Sequence, residues 1–415
     1  MGSVEINGGD FFLLPPDALS RIVSLNRKQA VKHERSCDHN GFIMTENSLL
    51  LPRREFLKTL GQATVSAAVV AGPLAALGQD NSTKLVFALV GAAHIHTPNY
   101  IRILKLRKDV TVKYVWDHDQ TRAQNAANAL GAKVVDDVKT IWNDAEIKAV
   151  VICSETNRHH DLVLAAAAAG KHCFAEKPMG IGSAESYEMA QALEKARVLF
   201  TTGYFNRTIP AHLFLKEQVE KNAFGKITRV RGSNCHNGSL GRWFDTDWRW
   251  MADPKIAGVG GFGDLGTHLL DILMWLFGPV ENVSADIKVV TGNYGDCDES
   301  GEALLKFKNG ITGTLGAGWV DLADPVTLMI SGTEGYAYID KGRLYFTCPK
   351  VENADGKRPW TDLPAALPEP MDQFVDAVAG KSAQTLVQPS EAAARVAVME
   401  AAYLSSKQQS WVKPV

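Results

Sequence analysis

The 415 residues are enough for two or three domains, which excludes a peptide, a lone small module and a disulfide-dependent miniprotein. Lys and Arg total 44 against 46 Asp and Glu, so the formal charge is -2 and no global electrostatic case for nucleic acid or an anionic membrane follows. With 46% hydrophobic and 22% charged residues, the composition is that of an ordinary globular protein, and a soluble enzyme or binding protein is expected.

In chain order the first element is a targeting segment. Pro52 to Lys58 reads P-R-R-E-F-L-K, and Thr59 to Leu77 carries no charge and is rich in Ala, Val, Leu and Gly. Arg53 and Arg54 ahead of a mild apolar run predict a twin-arginine signal, with the twin-arginine export machinery as a partner and the periplasm as the destination. An uncleaved signal serving as a membrane anchor is the alternative, because the run has the length of a span. Ala76-Leu77-Gly78 is a small-x-small triplet that could precede a cut. Met44 stands at a normal signal distance before Arg53, so residues 1–43 read as a non-native leader and 44–82 as signal and linker. The six Cys form no C-x-x-C pair, and Cys153 and Cys173 fall in apolar runs; buried thiols rather than a disulfide framework are expected.

From residue 83 the pattern alternates. Strands are expected at Leu85 to Val90, Thr111 to Trp116, Ala149 to Cys153, His172 to Ala175 and Leu199 to Gly203. Helices are expected at Pro98 to Arg107, Gln120 to Leu130, Asp161 to Ala169 and Ala184 to Lys195. This rhythm predicts an α/β fold, with a doubly wound parallel Rossmann sheet over residues 83–206. Beyond Asn206, strand-like runs from Ile227, Val283, Glu302, Thr312, Thr327 and Tyr336 are separated by Gly, Asn and Asp turns. They predict a second α/β domain, residues 207–367, with a large, open, mostly antiparallel sheet interrupted by a helix from His268 to Phe277. Two Ala-rich stretches in residues 368–415 read as helices packing back.

A dinucleotide fold wants G-x-G-x-x-G after its first strand, because Gly permits a tight turn and close approach of pyrophosphate to a helix N-terminus. Here the turn reads Gly91-Ala92-Ala93-His94-Ile95-His96, with only the first glycine in place. Asp117, at the end of the second strand, is placed to accept the ribose hydroxyls of NAD and to repel a 2′-phosphate, so NAD is favoured over NADP. The competing role of helix cap suits Asp119 better.

Three further segments carry a family resemblance: Thr156-Asn157-Arg158-His159-His160, then Ala175-Glu176-Lys177-Pro178-Met179, then Gly260 to Asp271 (G-G-F-G-D-L-G-T-H-L-L-D). Over about residues 84 to 405 the chain resembles the glucose-fructose oxidoreductase, inositol dehydrogenase and rhizopine-catabolism (Gfo/Idh/MocA) family. The resemblance implies a small sugar or polyol substrate bound between the two domains. It places the family's catalytic lysine on Lys177, its aspartate on Asp264 and its histidine on His268. It also brings Glu176 and Lys177 to the nicotinamide and substrate, sets a cis bond before Pro178, lays Asn157 and His160 beside the nicotinamide, and makes the open sheet a homo-oligomer interface. Ala93 and His96 depart from the family's turn.

The chemistry of this set is coherent in itself. Oxidising a secondary alcohol needs a base for the hydroxyl proton, and His268 suits that role near neutral pH. Asp264, four residues earlier, shares its helix face, as does Asp271, and Lys177 can steady a developing alkoxide. Trp243, Trp248, Arg249 and Trp250 precede the glycine-rich run and are candidates for stacking on and binding a sugar, Trp248 and Arg249 foremost, or for loop packing. His94, His96, His159 and His160 do not predict a metal site, since no carboxylate or Cys stands at ligand spacing. The leading function is an NAD-dependent dehydrogenase of a sugar or cyclic polyol. Export would require NAD to be tightly bound, which leaves open a redox-neutral glycoside hydrolase or lyase using transient oxidation. A non-catalytic sugar sensor is the third class.

Overall fold

The computed structural model describes residues 84–382 and 385–415. The paired arginines, the apolar run Thr59 to Leu77, Met44 and Cys37 lie outside the described residues. Six strands make the first sheet: β1 (Leu85–Val90), β2 (Val110–Trp116), β3 (Lys133–Val134), β4 (Ile147–Ile152), β5 (His172–Ala175) and β6 (Phe200–Thr201). Their order is β3-β2-β1-β4-β5-β6, with every pairing parallel. The helices between them are α1 (Thr97–Leu106), α2 (Gln120–Leu130), α3 (Lys139–Asn143), α4 (His159–Ala168) and α5 (Ser183–Ala196). Phe87, Leu89 and Phe174 face α1 and α2, while Ala88, Val90 and Ile152 face α4 and α5. Strands covered on both sides must be apolar where they are covered, which is why β1 reads as an unbroken hydrophobic run and β4 as one from Ala149 onward. Strand order reverses between β1 and β4, and ligands of such sheets bind at the strands' carboxyl ends there.

The chain continues through α6 (Pro210–Glu220), β7 (Ile227–Cys235), α7 (Pro254–Ala257) and α8 (Gly261–Phe277). Six more strands follow: β8 (Val280–Lys288), β9 (Ser300–Phe307), β10 (Thr312–Gly318), β11 (Val326–Gly332), β12 (Tyr336–Asp340) and β13 (Arg343–Thr347). The second sheet runs β13-β12-β11-β7-β10-β9-β8, and all its pairings are antiparallel except β7 with β10. Helix α8 is buried along its whole length apart from Trp275. It begins at Gly261, well before the expected start at His268. Three glycines in its first turns argue against helix on propensity, but a Cβ at Gly261 would come 2.8 Å from the Glu299 carbonyl oxygen and one at Gly263 2.4 Å from Val259 Cβ, so the packing calls for glycine and overrides propensity. Helix α6 was not expected, although its buried Ala211, Phe214, Leu215 and Gln218 follow helical spacing and Pro210 suits a helix start.

Helices α9 (Pro370–Val378) and α10 (Pro389–Gln408) complete the fold. Met371, Phe374 and Val375 of α9 join the core around Phe87, and Arg107 reaches Asp372 and Asp376 at 3.2 and 2.6 Å. Helix α10 serves both sheets: Ala393 and Val396 belong to the first core, Val398, Met399 and Ala402 to the second. Among the described residues, the five cysteines are free, and no helix is long and apolar enough to cross a membrane.

Candidate active site

The carboxyl ends of β1 and β5 meet the first turns of α8. The Lys177 ammonium, 2% exposed, donates to Asp264 Oδ1 at 2.5 Å, and the Trp319 indole donates to Asp264 Oδ2 at 3.1 Å. Burial opposes the charge on Asp264, but Lys177 outweighs it and holds the carboxyl well below the usual range. His268 follows one turn along α8. Burial, with Lys177 and His96 beside it, pushes its imidazolium well below the ordinary histidine value, so the ring is neutral at physiological pH. Its Nδ1 is buried with no hydrogen-bond partner among the described residues, and the ring lies 4.9 Å from Phe205 between centroids. The fold therefore brings Lys177, Asp264 and His268 together. The Lys177–Pro178 bond is cis, as the resemblance implies.

Gly91 takes φ +82°, and a Cβ there would fall 2.5 Å from Ser154 N, so the first glycine is required where β1 passes β4. The remainder of the turn differs from a glycine-rich cradle. The N–H groups of Ala93 and His94 both donate to the Cys153 carbonyl, and α1 starts only at Thr97. Burial pushes His94 down to about 3, against the pull of Glu176. Glu176 is fully buried; its Oε1 accepts from the Tyr100 hydroxyl and from His96 Nδ1 at 3.0 Å, and its Oε2 from the Lys177 N–H at 2.8 Å. Burial works against its charge, and His94 and His96 with Lys177 overcome it, leaving the carboxyl well below its usual range.

Asp117 is 1% exposed and fully engaged: it accepts from the N–H groups of Ala92 and Asp119 and from Arg122 Nε and Nη2, at 2.8–3.1 Å. Arg122 also reaches Glu155 at 2.7 Å, and His118 Nε2 lies 3.0 Å from the same carboxylate. Asp117 is thus tied into a cluster with Arg122, Glu155 and His118 rather than standing as one exposed acid. The switch-point position, the glycine that a Cβ would obstruct, and carboxylates at both ends of the crevice fit a dinucleotide; its middle offers few free amides.

Several expected residues lie elsewhere. His160 is held between Asp161 and Glu188 at 3.1 and 3.0 Å, and Asn157 is exposed. The neighbouring His159 is the ring that touches the Lys177–Pro178 turn, with Nδ1 3.1 Å from the Pro178 carbonyl. Arg249 stacks over Tyr294 at 4.8 Å, and Trp248 packs against the second core. It is Trp250 that reaches the crevice: its indole donates to the Ala93 carbonyl at 3.1 Å and its ring lies 6.0 Å from His94. Asp271 is consumed by Arg207 and Arg395, at 2.6 and 3.0 Å.

Comparison with known proteins agrees with this architecture. Levoglucosan dehydrogenase of Pseudarthrobacter phenanthrenivorans is 28% identical over 248 residues, covering 54% of this chain and 63% of that protein. Myo-inositol 2-dehydrogenase of Thermotoga maritima is 31% identical over 231 residues, covering 53% and 64%. The matches thus span just under two thirds of these curated relatives. Among solved structures, an NAD-binding oxidoreductase from Klebsiella pneumoniae superposes with a TM-score of 0.66 at 24% identity, over 80% of this chain and 99% of that one. Levoglucosan dehydrogenase in complex with NADH and levoglucosan gives 0.66 at 22%, over 80% and 99%. Residues 85–204 match the oxidoreductase family's NAD-binding Rossmann fold and residues 212–338 the GFO/IDH/MocA C-terminal domain, so the chain belongs to the Gfo/Idh/MocA family.

Proposed function

We propose that this protein is an NAD-dependent oxidoreductase acting on a secondary hydroxyl of a sugar, cyclic polyol or close derivative. The observation that carries the reading is the buried group Lys177–Asp264–His268, set at the carboxyl end of β5, with His268 Nδ1 unpartnered among the described residues. NAD, when bound, supplies the hydride acceptor. Gly91 and the Asp117–Arg122–Glu155 cluster would hold its adenosine half. Neutral His268 takes the hydroxyl proton at Nδ1, and the Lys177 ammonium donates to the same oxygen as negative charge develops there. Asp264 keeps that ammonium in place. The two relatives' names, a levoglucosan and a myo-inositol dehydrogenase, support a ring hydroxyl as the target. The test is incubation with NAD and a panel of sugars, inositols and glycosides, reading reduced nicotinamide and released aglycone together. Net reduction with a ring polyol is the expected result. Aglycone without net reduction would replace this reading by redox-neutral cleavage, and binding with neither signal by a sensor.

A further inference from the structure

The turn between β1 and α1 holds two imidazoles, His96 where a dinucleotide cradle has its third glycine and His94 two residues before it, and both converge on one buried carboxylate. His94 Nδ1 lies 3.7 Å and His96 Nδ1 3.0 Å from Glu176 Oε1, and the ligand atoms of the three residues all fall within 4.8 Å of one another. Two ligands each about 2.1 Å from a metal stand about 3.0 Å apart at a right angle and about 3.4 Å apart in a tetrahedron. The 3.0 Å spacing is that of two ligands at about a right angle and the 3.7 Å spacing that of two ligands at an angle somewhat wider than tetrahedral, so both can be met on a single ion. Two nitrogens and one carboxylate oxygen suit zinc, cobalt and related transition metals better than calcium or magnesium, which prefer oxygen throughout.

The surroundings hold these groups in place. The Tyr100 hydroxyl and the Lys177 N–H fix the Glu176 carboxylate, and the Trp250 indole anchors the turn through the Ala93 carbonyl. Outer contacts of this kind orient metal ligands. Without an ion, His96 Nδ1 and Glu176 share a hydrogen bond and His94 Nδ1 accepts the His96 N–H at 3.2 Å; an entering ion displaces the shared proton and takes the His94 lone pair from that N–H. The carboxylate comes from the E-K-P segment, 80 residues beyond His96, so ligand spacing along the chain does not reveal it.

We propose that His94, His96 and Glu176 bind one divalent transition-metal ion of the zinc and cobalt class, leaving at least one coordination position for a non-protein ligand next to Lys177. The proposal stands independently of the dehydrogenase reading. To test it, the full chain is dialysed against chelator and titrated with Co²⁺, following visible d–d absorption, and then challenged with Zn²⁺. Saturation at one equivalent is expected, with displacement by Zn²⁺. Removing a ligand should exceed the roughly 10–100-fold that an outer contact contributes, so His94→Ala and His96→Ala should each weaken Co²⁺ binding by at least about 100-fold. Tyr100→Phe should fall within that outer-contact range, and His160→Ala should change nothing. His96 is 29% exposed, so His96→Ala carries the test if circular dichroism shows His94→Ala unfolded. No saturable cobalt spectrum in the wild-type protein, or an unchanged one in folded His96→Ala, would overturn the proposal.

Discussion

His268 offers the most direct separation of chemistry from packing, because its Nδ1 has no structural partner to lose among the described residues. His268→Ala is expected to lower turnover by about 10²- to 10⁴-fold while NAD affinity, followed by fluorescence titration, stays nearly constant. Loss of NAD binding or of the folded state in that variant would assign the ring to the core instead. Asp117 presents the opposite case, since its carboxylate already ties together Ala92, Asp119 and Arg122. Asp117→Ser should weaken NAD and free the Arg122 guanidinium for a 2′-phosphate, so the ratio of NAD to NADP affinity should fall. An unchanged ratio would place discrimination on Glu155. The chain's motifs made Lys177, Asp264, His268, Gly91 and Asp117 legible, because each has a fixed place relative to a strand or helix end. Arg122 and Glu155 were not legible: an Arg on a helix surface carries no mark of the acid it will meet. Trp250 could not be told apart from Trp243, Trp248 and Arg249, because an irregular stretch has no period from which to read direction.

Helix α8 shows why the elements carrying the site were harder to delimit than the site itself. Its glycines break the usual propensity pattern, so the expected helix began at the apolar run from His268, while Asp264 was placed on its face by spacing alone and lay before the expected start. Further along, Asp271 locks α8 to α10 and to the turn after β6, since it is fully buried between Arg207 and Arg395 and Arg207 also meets Glu391 at 3.0 Å. Asp271→Asn removes the charge that two buried guanidinium groups share. It should cost about 3–5 kcal/mol of stability by denaturant unfolding. A loss below about 1 kcal/mol would show that Glu391 alone suffices. The strands were read better than the helices of this half, because period-two alternation survives in β9 and β12 whereas α6, with Pro210 and a mixed face, sat among strand-like neighbours.

At the scale of the whole molecule, acid stability depends on Glu299, a fully buried residue that binds three segments around the second sheet. Its Oε1 accepts from the Ser239 and Thr291 hydroxyls at 2.5 and 2.6 Å, and its Oε2 from the N–H groups of Val290, Thr291 and Gly292. Burial alone would raise its pKa; the hydrogen bonds prevail and bring it from 4.5 down to about 2. A carboxyl depressed on folding stabilises fully above its unfolded pKa, and that contribution disappears as pH falls from about 4.5 towards about 2. Glu299→Gln should therefore lower unfolding free energy by about 1–3 kcal/mol at neutral pH. The gap from wild type should close through the acid window; a gap that stays constant with pH would mean the side chain acts by shape alone.

The position of α9 and α10 also governs how the chain is made. Phe374 completes the cover over Phe87 and Phe174, and Glu400 caps the Ser183 N–H from 217 residues away. A ribosome adding about 5–20 residues per second takes roughly 10 to 40 s over that interval. For that time the nascent parallel sheet has one apolar face only partly roofed. Newly synthesised protein should thus be a client of cellular chaperones until its distal helices emerge, even though its strands were translated long before.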